Sequence, residues 1–63
     1  MSNFKIDTYY TFFKSKGLVL FIFEENNIYE VIVEDSFGTE VYRTQGTVLK
    51  DILDNAVDNI KQN

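Results

Sequence analysis

The 63-residue sequence predicts an α+β domain: a four-stranded antiparallel β-meander with one C-terminal amphipathic helix packed on one face. Three observations carry this. Runs rich in β-branched and aromatic residues alternate with short clusters of Gly, Asn, Asp and Ser, the pattern of strands joined by tight turns. The apolar spacing then changes after Gly46 from a strand-like to a helical period. Short connections between successive strands force antiparallel neighbours, and the whole of 1–63 is one domain.

Residues 4–14 read as the first strand, because Phe4, Ile6, Thr8, Tyr9, Tyr10, Thr11, Phe12 and Phe13 have strand propensity. Ser15-Lys16-Gly17 follows as a turn in which Gly17 can take positive φ. Residues 18–24 form the second strand, apolar without a break from Leu18 to Phe23. Such a strand has no face to offer water. One helix covers one face of a sheet, so the run calls for a second covering surface. Glu25-Asn26-Asn27 is the next turn, since Asn tolerates the left-handed region.

Residues 28–34 alternate, with Tyr29, Val31 and Val33 on one face and Glu30, Ile32 and Glu34 on the other. Asp35-Ser36-Phe37-Gly38 turns again, and 39–44 make the fourth strand. The helix is expected at 47–61. Val48, Leu49, Ile52, Leu53, Ala56, Val57 and Ile60 recur at helical spacing, and Thr47 is placed to cap the first turn. Asp51 near its start and Lys61 near its end suit the macrodipole.

Composition narrows the function. At 44 % apolar and 16 % aromatic, with no Pro, the chain is built to fold. It reads as a complete small product that is marginal alone and favours a homodimer or a protein partner. No Cys or His is present, so thiol and imidazole catalysis and ordinary zinc sites have no ligands to draw on. Gly17, Gly38 and Gly46 stand singly, so no phosphate-cradling loop is formed. Adjacent acids on a strand point to opposite faces and make no carboxylate dyad. The expectation is a protein that is not an enzyme and holds neither cofactor nor metal. With no Cys, no long apolar run and no basic-then-apolar leader, a cytoplasmic location is expected and a membrane span is not.

The net charge of −4 is unevenly placed. Lys5, Lys14 and Lys16 lie in the first part of the chain, whereas Glu24, Glu25, Glu30, Glu34, Asp35 and Glu40 follow without a base among them. The bland account is a solvated rim; the sharper one is an acidic surface aimed at a basic, nucleic-acid-handling partner. The partner-binding residues expected are Glu30, Glu34, Asp35 and Glu40, with Ile32 and Tyr42 as apolar anchors.

Two other functions are weighed beside this one. Exposed aromatics on a sheet can stack bases, and the meander-then-helix order looks like small dimeric single-stranded-DNA-binding coactivator domains. The supply of Lys5, Lys14, Lys16 and Arg43 is thin for a phosphate track, so direct nucleic-acid binding is not expected. A structural homo-oligomer component is the remaining alternative.

From about Phe21 onward the chain resembles the N-terminal domain of HicB-type antitoxins. The residues concerned are Glu24-Glu25-Asn26-Asn27-Ile28-Tyr29-Glu30-Val31, then Val33-Glu34-Asp35 and Gly38. Thr44-Gln45-Gly46-Thr47 and Asp51-Ile52-Leu53-Asp54-Asn55-Ala56 complete it. The family's flanking prolines and its DNA-binding segment have no counterpart, and residues 4–14 add a segment it lacks. The resemblance implies a half-domain that masks a toxin nuclease. In size and character the chain is also similar to small phage-encoded inhibitors of host defence.

Overall fold

A computed structural model describes residues 5–62. The order is α1 (Ile6–Ser15), β1 (Val19–Glu25), β2 (Ile28–Glu34), β3 (Glu40–Gly46) and α2 (Leu49–Lys61). The sheet has three antiparallel strands in the order β1-β2-β3.

The expected four-stranded meander with one helix is therefore corrected: of the segment 4–14 read as a first strand, Phe4 lies outside the described residues and 6–14 belong to helix α1. Its β-favouring composition is overridden by tertiary packing. Tyr9-Tyr10 and Phe12-Phe13 are adjacent pairs, which would load both faces of a strand with rings. Coiled as a helix, the segment instead gathers Ile6, Tyr9, Phe12 and Phe13 towards the core, with Phe13 fully buried. Asp7 in its first turn and Lys14 in its last suit the helix ends. The chain then stops cleanly: Gly17 N–H bonds to the Lys14 carbonyl at 3.0 Å and Leu18 N–H to the Phe13 carbonyl at 2.9 Å. That crossed pair is a Schellman motif, with Gly17 at φ 75° in the left-handed position.

The β1–β2 connection is a two-residue turn whose Asn26 and Asn27 both have positive φ, 55° and 66°, matching the twist of the flanking strands. In the β2–β3 turn, Asp35 Oδ1 accepts the amides of Phe37 and Thr39, each at 2.9 Å. β3 extends through Gly46, past the expected end at 44, and a register shift opposite Val33/Glu34 bulges its first residues. Val48, not Thr47, is the N-cap of α2 and supplies no side-chain cap, so the helix opens two residues later than expected.

Both helices lie on the same side of the sheet. α1 packs on β1 and on α2, while α2 packs on β2 and β3. Between layers sits the core of Phe13, Leu20, Val31, Val33, Ile52, Leu53 and Ala56, each side chain worth roughly 1–3 kcal/mol of burial. Gly46 lets α2 approach: a Cβ there would stand 2.6 Å from Ile52 Cγ2. Across the helices, Tyr9 hydrogen-bonds Asp54, and the Lys61 ammonium lies 5.9 Å from the Phe12 ring centre.

Candidate functional site: the open sheet face

A strand sends successive side chains to opposite faces, and β1 divides accordingly. Leu20 and Ile22 turn towards the helices. Val19, Phe21 and Phe23 turn away and are 46 %, 37 % and 54 % exposed. The Phe21 and Phe23 rings stack 6.5 Å apart, inclined by 12°. Beside them, register places Ile32 next to Phe21 and Glu30 next to Phe23. Exposed Ile28 extends the same face at the hairpin end. The result is an apolar stripe along β1 that continues across Ile32. Tyr9 and Phe13, first assigned to the strand layer, belong to the helix-side core instead.

Polar groups line the other half of this face, where Arg43 neutralises part of the acidic charge. Arg43 donates to Glu30 at 2.6 Å and, through two nitrogens, to Glu40 at 2.8 and 3.0 Å. Gln45 adds a bond to Glu30 at 3.1 Å. The Gln45 amide and the Arg43 guanidinium hold the Glu30 carboxyl below its ordinary value. Arg43, gripped by Glu40 and Glu30, is raised in turn. At the hairpin end, Glu24 and Glu25 make no ion pair among the described residues.

The six residues expected at the interface separate into three places. Glu30, Ile32 and Glu34 share the outer face of β2, and Arg43 ties Glu40 to them. Asp35 spends one carboxylate oxygen holding the β2–β3 turn. Tyr42 lies opposite Val33 on the helix side, half-buried against the core. Sequence reasoning omitted Val19, Phe21 and Phe23 from the site, although their place in an all-apolar strand was the signal that could have found them.

No cluster of three or more His, Cys, Asp or Glu side chains suited to a metal occurs among the described residues. Nor is any described helix long and apolar enough to cross a membrane. Comparison of the chain with known protein families, curated proteins and solved structures yields no match.

Proposed function

We propose that this chain is a non-catalytic binding protein that masks a protein partner, in the manner of an antitoxin or a phage-encoded inhibitor. The observation that carries the reading is the one-sided sheet: two helices share one face, and the other presents Val19, Phe21 and Phe23 to solvent with half-buried Ile32 beside them. Stacked rings surrounded by polar groups are the usual make-up of an interface centre and rim. Glu34 and the hairpin acids Glu24 and Glu25 make a basic, nucleic-acid-handling partner the best electrostatic match. Face-to-face stacking of two copies competes for the same surface.

Capture from a lysate of the source cells tests this. One dominant basic protein is expected on the immobilised chain, with its activity titrated away at about equimolar ratio. Capture is lost on Phe21→Ser with Phe23→Ser, and weakened on Glu34→Lys. A double variant that folds and still captures and inhibits the same protein would refute the assignment of this face.

The stacked Phe21–Phe23 pair also favours a second reading, a platform for single-stranded bases. Its weakness is charge: Arg43 is the base on this face, and two glutamates hold it. A low-salt titration with labelled oligonucleotides separates the two, with no binding expected.

A further inference from the structure

We propose that the free edge of β1 is a strand-addition site for one extended segment of a different protein, apolar at its centre and basic where it passes Glu24 and Glu25. The inference rests on the masking role above and names how the partner would engage.

The hydrogen-bonding rim follows from the hairpin. In a two-residue turn the flanking residues form a hydrogen-bonded pair, and such pairs recur at every second position. Glu25↔Ile28, Phe23↔Glu30, Phe21↔Ile32 and Val19↔Glu34 are then the bonded pairs of the β1–β2 register. The amides and carbonyls of Leu20, Ile22 and Glu24 point the other way. β1 has β2 as its neighbour in the sheet and no strand beyond it among the described residues.

The opposite edge is blunted. β3 carries a bulge at its start, and its outer face bears Glu40, Arg43 and Gln45, devices that discourage pairing. β1 has neither bulge nor charge from Val19 to Phe23.

The helix layer shows where a fourth strand fits. Packed helices lie about 8–10 Å apart and strands about 4.8 Å, so two helices span roughly four strand positions. This sheet has three. Because α2 sits on β2 and β3, and α1 on β1, the unfilled position is outboard of β1, beside α1. Tyr9 and Phe12 face α2, and Phe13 faces the core. At 3.6 residues per turn, the opposite flank of α1 carries Asp7, Tyr10 and Lys14, with Tyr10 42 % exposed.

The same geometry selects the occupant. A second copy pairing through its own β1 would bring its α1 into the space already held by the first, whereas a bare strand brings no helix. Its inward side chains would meet Ile22 and Tyr10, and its outward ones would extend the Phe21–Phe23 surface. Glu24 and Glu25 at one end and Lys14 at the other give the segment a polarity: basic at the hairpin end, acidic at the α1 C-terminal end.

The test uses the isotope-labelled full chain and two end-blocked peptides, Lys-Val-Thr-Val-Thr-Val-Thr-Glu and its reverse. Saturable amide shifts at Leu20, Ile22, Glu24, Tyr10 and Lys14 are expected, with one peptide order binding several-fold better. Total synthesis with N-methylation at Ile22 replaces one outward donor by a methyl group on the exposed edge and leaves the β1–β2 ladder bonds untouched. That protein should keep its circular dichroism and lose the peptide. Absence of saturable shifts at millimolar peptide, binding unchanged by N-methylation, or a dimer of the chain that shifts the same amides would each overturn the proposal. Lysate capture that survives N-methylation also overturns it but leaves the masking role intact. Peptide binding with no lysate partner does the reverse.

Discussion

The Tyr9 hydroxyl donates to Asp54 Oδ1 at 2.5 Å across 45 residues of sequence, and this contact joins α1 to α2. Lys50 donates to the other carboxylate oxygen at 2.8 Å, so one acid organises both helices. A bond to a charged acceptor that is partly open to water is worth about 1 kcal/mol. Tyr9→Phe should lower stability by about that amount in urea unfolding with no change in the slope. An unchanged midpoint would mean that the bond does not hold the helices.

The same contact sets a pH dependence. Lys50, and then Tyr9, hold the Asp54 carboxyl below its ordinary value. The unfolded chain therefore takes up the proton first, and this stability, complete above the unfolded value, is lost as pH falls through the folded one. Burial, and then Asp54, push the Tyr9 phenol up. That contribution is complete below the ordinary phenol value and is lost as pH rises through the raised one. Asp54→Asn should flatten the acid limb of a stability–pH profile and make the alkaline limb, set first by burial of Tyr9, shallower; a profile parallel to the parent's would contradict the linkage.

Gly46 is required by contact. The Cβ of Gly46→Ala would lie 2.6 Å from Ile52 Cγ2, an atom next to the α2 backbone with little freedom to move. Overpacking of this kind costs about 1–3 kcal/mol. Thermal melting should show a large fall for Gly46→Ala and a small one for the exposed control Asn55→Ala.

Arg43 neutralises part of the outer face by holding Glu30 and Glu40. Arg43→Ala removes the counter-charge of both carboxylates, with Glu30 still bonded by Gln45. Association with a basic partner should then speed up and depend more steeply on salt, read by stopped-flow mixing. Slower association would show that Arg43 itself touches the partner.

How far the sequence discloses the fold can be judged from particular segments. β2 coincides with its expected bounds because Tyr29, Val31 and Val33 alternate with Glu30, Ile32 and Glu34. α2 was legible from its apolar stripe, though not its start, since Val48 rather than Thr47 occupies the N-cap. α1 was misread because aromatic and Thr-rich content favours strands locally. The helical spacing of Ile6, Tyr9 and Phe13 matters only once β1 and α2 are there to receive it. The need for a second covering surface came from the unbroken run Leu18–Phe23, and that face is the exposed one. Its owners Phe21 and Phe23 went unnamed because both faces of that strand are apolar, and only register tells inner from outer.

Paramagnetic relaxation of side-chain protons by a soluble gadolinium chelate compares the two faces of β1 directly. Strong relaxation at Val19, Phe21 and Phe23, with Leu20, Val31 and Val33 shielded, is the outcome this architecture requires. Equal shielding of both sets in the free protein would show that the outer face is already covered, and the masking surface would have to be sought elsewhere.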